Sequence, residues 1–325
     1  MDYSSGNRSR ANCSYEEAIM PSDFRRILCL IALFSLVAVT VFGNVFLISR
    51  IVQRGQFERK INVFVISLAI ADFCVGIFVM PSSIIHNLTD DSFFRKTLFV
   101  KAFFAMDIIF TTSSILHFTC INIDRFVAVR YPLKYFQMMN RKLTTVMIVL
   151  GWSIACSISA TIVFLSDKGD ACSPHYTFSV QGTATVVGSV FVFYIPLALN
   201  ICASINIYLK VHRRAQELCH VMPKESTVLQ RNQQRMESRV IRTIAILQGC
   251  FVLCFTPFFL LLVLKNIHAL GLEPSRTSLL VVTWIGYVNS TINPYLYYFM
   301  NNRLKKPAQE NLKTVSTEAV RLLYQ

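Results

Sequence analysis

Charged residues are scarce in this chain. They make up 15% of its 325 residues and only 18 of them are acidic, whereas hydrophobic residues reach 54% and include 26 phenylalanines. Since an average soluble domain has about 25% charged residues, this composition is typical of a protein embedded in lipid. The sequence also lacks a clustered set of metal ligands or an activated nucleophile, and its six histidines are scattered. We therefore expect neither an enzyme nor a metal centre.

Seven stretches are apolar over the roughly 20 residues that a membrane-crossing helix needs. Two of them contain an isolated Asp, and a third follows a polar loop. The sequence therefore predicts an all-α bundle of seven transmembrane helices. The predicted spans are Ile27–Ser49, Ile61–Asn87, Ala102–Ile123, Leu143–Ser166, Val180–Leu209, Thr243–Leu264 and Thr277–Asn302.

The predicted bundle, residues 27–300, is flanked by an N-terminal segment, 1–26, and by a tail, 301–325. The N-terminal segment is polar and has no hydrophobic core of a cleavable signal peptide. The beginning of the tail, Asn301 to Leu312, is basic and predicts a short amphipathic helix at the membrane surface.

The distribution of Lys and Arg predicts the orientation of the bundle. If the N-terminus is extracellular, the cytoplasmic segments hold 22 of the 32 basic residues, as the positive-inside rule requires. We therefore expect a multi-pass plasma-membrane protein whose N-terminus is outside. Its net charge of +14 then faces anionic membrane lipid, and no nucleic-acid partner is expected.

The segments expected outside carry signs of extracellular modification. Asn7, Asn12 and Asn87 each begin a glycosylation sequon, whereas a fourth match at Asn289 lies inside a span. Of the ten cysteines, only Cys13 and Cys172 lie in clearly extracellular segments. They are a candidate disulfide because that compartment is oxidising.

Two acidic residues lie at membrane depth, where an ionisable side chain is a functional hypothesis by default. They are Asp72 in the second span and Asp107 in the third. Asp107 and Arg125 are separated by 18 residues, which is about 27 Å and five turns of helix. The two residues therefore share one helix face near opposite membrane surfaces, so one can meet a ligand outside while the other meets a partner inside.

Each predicted span carries a short motif, and the motifs follow one another in order and at suitable spacing. They are Gly43-Asn44-Val45, Leu68-Ala69-Ile70-Ala71-Asp72, Asp124-Arg125-Phe126, Trp152, Pro196, Cys254-Phe255-Thr256-Pro257 and Asn293-Pro294-Tyr295-Leu296-Tyr297. Together they resemble the landmarks of the rhodopsin-like G-protein-coupled receptors. Any one motif is common, but seven in register are specific to that family.

Within this family, an Asp at the position of Asp107 resembles the amine receptors, in which it pairs with the ligand ammonium. A carboxylate offers that cation a charge-assisted hydrogen bond, and each aromatic face adds about 0.5–2 kcal/mol of attraction. The competing interpretations are that the aromatic residues only pack helices and that Asp107 pairs with a Lys of the protein. The resemblance implies a ligand site made of Asp107, Ile108, Thr111, Ser189, Phe258, Phe259, Trp284 and Tyr287.

The identity of the ligand is less constrained. The run Asn289 to Tyr297 is most similar to trace amine-associated receptors, although the residues beyond it depart from their pattern. Gly188, Ser189 and Val192 lack the several serines of catecholamine receptors, which disfavours a catechol. A receptor of the same fold for a lipid or peptide is the main alternative. A seven-span transporter is disfavoured because no internal repeat is visible.

The resemblance also implies a switch inside the bundle. One part is a pocket for an allosteric sodium ion, since oxygen ligands suit a hard cation; the alternative is that its residues only satisfy one another. The expected pocket residues are Asp72, Ser114, Asn289, Ser290 and Asn293. The expected packing switch consists of Ile115, Pro196, Phe251, Phe255 and Tyr297. No other cofactor is expected.

At the inner end, the resemblance implies that Asp124 and Arg125 contact a heterotrimeric G protein and that Glu237 pairs with Arg125 at rest. Ser204 stands where a Tyr usually supports the active state. At the outer end, the family usually ties the third span to the second outer loop by a disulfide. Here Val100 occupies the third-span position, which leaves Cys13 as the expected partner of Cys172.

Overall fold

A computed structural model of the chain describes residues 23–56, 59–88, 97–167, 179–180, 182–221, 227–266 and 275–300. For the helical residues 217–221 and 227–241, only the backbone is described. Seven long helices run through these ranges. They are α1, Asp23–Gln53; α2, Lys60–Cys74 continued by Val75–Val79 and Met80–Leu88; α3, Thr97–Arg130; α4, Arg141–Phe164; α5, Gly182–Ser189 continued by Val190–Tyr194 and Ile195–Val221; α6, Thr227–Lys265; and α7, Arg276–Met300.

The predicted helical bundle is confirmed, with two small additions. A single-turn helix, Tyr135–Met138, joins α3 to α4. Two residues before α5, β2 (Ser179–Val180), pair antiparallel with β1 (Ser166–Asp167). The start of α1 at Asp23 lies four residues before the predicted start of the bundle.

Six of the helices are long and apolar enough to cross a membrane. The described part of α7 does not reach that apolarity, although the sequence predicted it among the plainly apolar spans. Its polar residues explain the difference, because they are buried against other helices instead of facing lipid. They are Asn289, Ser290, Thr291 and Asn293.

Local signals explain several helix ends. The Asn140 side chain accepts a hydrogen bond of 2.7 Å from the Leu143 amide and caps α4, and Ser275 accepts one of 3.1 Å from Ser278 at the start of α7. Such side chains satisfy amides that have no partner within the first turn. After α1, Gly55 has a φ of +59°, which a residue without Cβ adopts readily.

Two helices contain a turn of π-helix. These turns are Val75–Val79 in α2 and Val190–Tyr194 in α5. A π turn inserts one extra residue into the helix and is frequent at functional sites. Here each turn separates the segment that contacts α3 or α6, Met80–Leu88 in α2 and Gly182–Ser189 in α5, from the rest of its helix. That segment is therefore rotated relative to a regular helix.

Helix α3 is the centre of the bundle. It packs against α2, α4 and α5, whereas α7 packs against α1 and α6. Because α3 carries Asp107 in its N-terminal half and Asp124 and Arg125 near its other end, both predicted functional ends lie on one continuous helix.

Candidate functional site

The carboxylate of Asp107 lies half-buried in the N-terminal half of α3. Thr111, one turn along the same helix, donates a hydrogen bond of 3.2 Å to it. The hydroxyl of Tyr287, on α7, faces this carboxylate and is buried without a hydrogen bond of full geometry to any described residue. The structure thus brings Asp107, Thr111 and Tyr287 together, with Ile108 beside Asp107 along the chain.

The predicted aromatic residues divide into two groups. Trp284 packs edge-on against Tyr287, with ring centroids 5.5 Å apart, and both join residues of α2 and α3, including Phe103. Phe258 and Phe259 belong to a second cluster, which is formed by residues of α3, α5 and α6. Within the described residues no ring pair links the two groups. The sequence analysis placed these four aromatic residues in one ligand site, whereas the structure divides them between two clusters.

The α5 side of the site is poor in available hydroxyl groups. Ser189 is buried and donates a hydrogen bond of 2.8 Å to the Thr185 carbonyl of its own helix. Val192, one turn further along, is buried in the aromatic cluster. Ser189 therefore lies in the predicted wall, but its proton is already engaged.

Four of the five residues of the expected sodium pocket are joined by hydrogen bonds. Asp72 is fully buried and accepts bonds from Ser114 at 2.9 Å, Ser290 at 2.7 Å and Asn293 at 2.8 Å. Asn289 is buried as well, but it forms no hydrogen bond with Asp72. The cluster links α2, α3 and α7 through a single carboxylate.

The expected packing switch is assembled in the middle of the bundle. Ile115, Phe251 and Phe255 share one buried cluster, and the Phe251 ring lies 5.3 Å from the Phe255 ring. Pro196 is buried in α5. Tyr297 borders the same cluster, and its hydroxyl is buried without a hydrogen-bond partner in the described part of the chain.

At the far end of α3, Asp124 is fully buried and Arg125 is 44% exposed. The Arg125 Nε lies 3.8 Å from Asp124 Oδ2, while Tyr135 donates a bond of 2.9 Å to Asp124 Oδ1. Lys60 donates to the Met139 carbonyl and lies over the Tyr135 ring. This connection fastens the loop after α3 to both α3 and α2.

Several predicted residues lie outside the part that the structure describes. The side chain of Glu237 is among them, so its pairing with Arg125 remains a prediction. The same holds for the disulfide between Cys13 and Cys172, for the glycosylation sites at Asn7 and Asn12 and the Asn87 side chain, and for the helix predicted after residue 301.

A buried histidine was missed by the sequence reasoning. His117 of α3 is fully buried, and its Nδ1 lies 2.5 Å from the Ser113 carbonyl. Its Nε2 lies 3.0 Å from the Ser67 hydroxyl, which accepts a bond of 3.1 Å from the Trp152 indole. An ionisable residue at membrane depth was the available signal. Trp152, read as a landmark, is therefore also a donor in a chain across α2, α3 and α4.

A second missed feature is a pair of carboxamides between α3 and α5. Asn122 donates a bond of 2.7 Å to Asn200, which donates one of 3.0 Å to Thr119. On α6, the half-buried Gln248 has both amide atoms buried and unpaired among the described residues, as is the Ser204 hydroxyl on α5. Polar residues within otherwise apolar runs were again the signal.

The sequence profile of the family described as 7 transmembrane receptor (rhodopsin family) matches residues 43–297, a range that includes the whole site described above. The match therefore covers most of the chain.

Similar proteins of known identity include several receptors. Trace amine-associated receptor 1 from Homo sapiens is 30% identical over 281 residues, covering 81% of each chain. The 5-hydroxytryptamine receptor 4 from Cavia porcellus is 28% identical over 323 residues, covering 91% of this chain and 81% of the relative. The Histamine H2 receptor from Homo sapiens is 26% identical over 294 residues, covering 88% and 79%.

Proposed function

Because this chain belongs to the rhodopsin family of seven-transmembrane receptors, we propose that it binds a small cationic amine at Asp107 and signals through a heterotrimeric G protein. Family membership makes it a multi-pass membrane receptor and not an enzyme, as the sequence predicted. The names of its relatives, which refer to trace amines, 5-hydroxytryptamine, octopamine and histamine, support an amine without selecting one.

The observation that carries the amine proposal is the isolation of the Asp107 carboxylate. In the described part of the chain it forms no ion pair with a Lys, Arg or His, which argues against the interpretation that it pairs with a Lys of the protein. Thr111 provides one neutral hydrogen bond. A carboxylate at membrane depth needs a counter-charge, and a ligand ammonium provides both charge and several N–H donors. The Tyr287 hydroxyl faces the same carboxylate, and its oxygen can accept one of these N–H donors.

The test is Asp107→Asn, which keeps the side-chain shape and removes its charge. Cells expressing the receptor are exposed to 2-phenylethylamine, tyramine, tryptamine, histamine and spermidine, with cyclic AMP and calcium as readouts. The potency of the active amine should fall by about 10- to 100-fold, because a hydrogen bond to a charged group contributes about 1.5–3 kcal/mol. Surface expression should not change.

Two controls make this result specific. Ser157→Ala changes an exposed residue of α4 whose hydroxyl bonds only its own helix, and it should leave potency unchanged. The neutral analogue 2-phenylethanol should be inactive on the native receptor. A full response of Asp107→Asn would instead support the alternative, a receptor of the same fold for a non-amine ligand.

The proposed G-protein contact is the end of the bundle formed by Arg125 and the loop after α3. Arg125 is the exposed member of its pair with Asp124, and Leu133 in the following loop is 94% exposed. Amine-driven nucleotide exchange on purified heterotrimers tests this contact. Arg125→Ala should abolish exchange without weakening amine binding, whereas loss of both would indicate a misfolded protein.

We also propose that Asp72 holds a sodium ion in the resting receptor. The Ser114 and Ser290 hydroxyls both lie within hydrogen-bond distance of the Asp72 carboxylate, and this all-oxygen set suits a hard cation. Sodium chloride should lower agonist affinity relative to N-methyl-D-glucamine chloride. Asp72→Asn should remove that difference; a difference that persists in the variant would place the ion elsewhere.

The proposed location is the plasma membrane with the N-terminus outside, as the basic residues predict. An epitope tag placed before residue 1 should be accessible to antibody on intact cells, and a tag after residue 325 only after permeabilisation. The reverse pattern would contradict this orientation.

A further inference from the structure

The carboxamides of α3, α5 and α6 lie at one level of the bundle. Phe118 of α3 stacks on Phe251 of α6, with ring centroids 4.8 Å apart. One turn further toward the Arg125 end, α3 carries Asn122, and α6, which runs antiparallel, carries Gln248. Because each turn rises about 5.4 Å, Asn122 and Gln248 occupy the same layer.

The level of Asn200 follows from the contacts of α5 with α6. The Phe193 ring lies 4.5 Å from Phe259 and 5.9 Å from Phe251, so Phe193 is level with the residues midway between these two. Asn200 is seven residues further toward the Arg125 end, about 10 Å along the helix. The same displacement along α6 leads to Gln248, which therefore lies level with the Asn122–Asn200 bond.

Only one of the three carboxamides is unsatisfied in this arrangement. Asn122 and Asn200 bond to each other, and Asn200 also bonds to Thr119. Both Gln248 amide atoms are buried without a partner in the described residues, as is the Ser204 hydroxyl one turn beyond Asn200. A buried polar group without a partner destabilises the arrangement that contains it, so any movement that provides a partner is favoured.

We propose that Gln248 forms a hydrogen bond with Asn200 when the Arg125 end of α6 shifts toward α5. This bond favours the signalling state in the absence of ligand. Asn200 can accept this bond, because a carboxamide oxygen has two lone pairs and Asn122 occupies one. The cluster is then a conformational device that sets basal activity. It rests on the proposed coupling to a G protein but not on the identity of the ligand.

The experiment measures basal nucleotide exchange, without added ligand, on heterotrimers of the Gs, Gi, Gq and G12 classes with receptor in nanodiscs. Gln248→Leu and the near-isosteric Gln248→Met should each lower basal exchange about five-fold, the change expected for one net hydrogen bond. Using both substitutions separates loss of the amide from misfolding, since a Met side chain has almost the native shape.

A double-mutant cycle identifies the partner. In an Asn200→Leu background, Gln248→Leu should have no further effect on basal exchange. In an Asn206→Leu background it should keep its full effect, because Asn206 is an exposed carboxamide of the same helix that bonds only to its own Cys202 carbonyl. Equal effects of Gln248→Leu in both backgrounds would overturn the pairing with Asn200.

Basal exchange that is the same in Gln248→Leu, Gln248→Met and the native chain would overturn the whole inference. If 2-phenylethylamine or another amine nevertheless drives exchange in the native receptor, the inference fails alone and the proposed function stands. If Asp107→Asn leaves the amine response intact while the cycle behaves as expected, the ligand proposal fails alone.

Discussion

The rings of Phe193 and Phe259 are stacked, with centroids 4.5 Å apart and an interplanar angle of 2°. This pair closes the α5 and α6 side of the proposed ligand site with two flat apolar faces. It also fixes the register between the two helices on which the carboxamide layer depends. A ligand that reaches this wall from Asp107 therefore meets aromatic carbon before it meets a hydroxyl group.

The stacked wall predicts indifference to phenolic hydroxyls on the ligand. Dopamine and tyramine should be no more potent than 2-phenylethylamine, because the Ser189 proton is engaged with Thr185 and Val192 has no hydroxyl. Potencies measured in one cyclic AMP or calcium assay check this expectation. A large advantage for dopamine would mean that Ser189 turns toward the ligand. Val192→Ser offers a matched gain of function, since it adds a hydroxyl one turn from Ser189.

Tyr135, in the loop after α3, donates a hydrogen bond to Asp124. We expect this bond to stabilise the resting state equally throughout the physiological pH range. Burial and the neighbouring Asp124 carboxylate raise the pKa of Tyr135 to about 12. A raised pKa means that the neutral phenol is favoured in the folded protein. The stabilisation by the neutral phenol is therefore complete below the ordinary tyrosine pKa of about 10, and it is lost only as the pH rises through about 12.

The corresponding variant is Tyr135→Phe, which deletes the bond to Asp124. Basal nucleotide exchange should rise about five-fold, because roughly 1 kcal/mol of hydrogen bonding is lost. The ratio of variant to native exchange should be the same at pH 6, 7 and 9. A ratio that changes over this interval would show that another titrating group controls the contact. Tyr131→Phe changes an exposed tyrosine and serves as the control.

The hydrogen-bond chain through Ser67 predicts a loss of stability when its middle member is removed. Ser67→Ala leaves both the Trp152 indole N–H and His117 Nε2 without a partner, and each buried orphan costs about 1–3 kcal/mol. The melting temperature of the purified receptor should fall by several degrees. Ser157→Ala removes an exposed hydroxyl of α4 and should leave it unchanged. Equal effects of the two substitutions would argue against a chain that joins helices.

Substitution of Gly by Ala should have opposite effects on thermal stability at two positions, Gly43 and Gly249. A Cβ on Gly43 would lie 3.0 Å from the Tyr295 hydroxyl and 3.1 Å from Pro294 Cγ, so Gly43→Ala should push α1 away from α7 and lower the melting temperature. A Cβ on Gly249 meets no described atom within 4 Å. There, Gly249→Ala should raise stability by up to about 1 kcal/mol, because Ala is the better helix former. Thermal unfolding of both variants in nanodiscs checks whether the melting temperature falls for Gly43→Ala and rises for Gly249→Ala.

The membrane helices and the Asp72 cluster were predictable for different reasons. Helix positions follow from uninterrupted apolar length, and the partners of Asp72 follow from the family resemblance of motifs on α2, α3 and α7. The π turns were not predictable, because Val75–Val79 and Val190–Tyr194 have the same apolar composition as regular helix. A π turn depends on packing against neighbouring helices, which one sequence does not display.

The pairing of buried polar residues was also beyond the sequence. Asn122 and Asn200 are separated by 78 positions, and nothing in either apolar run indicates which helix faces the other. The split of the aromatic wall has the same origin. The side chains of Phe259 and Trp284 contact different neighbours, Phe193 in one case and residues of α2 and α3 in the other.

The modest apolarity of α7 has a consequence for how the chain is made. An isolated segment with several amides and hydroxyls partitions poorly into a bilayer from the translocon. The polar residues of α7 find partners on earlier helices, with Ser290 bonding Asp72 at 2.7 Å and Thr291 bonding Thr40 at 2.6 Å. We therefore expect the last helix to integrate into the bilayer more readily when α1 and α2 are already in the membrane and can supply these partners.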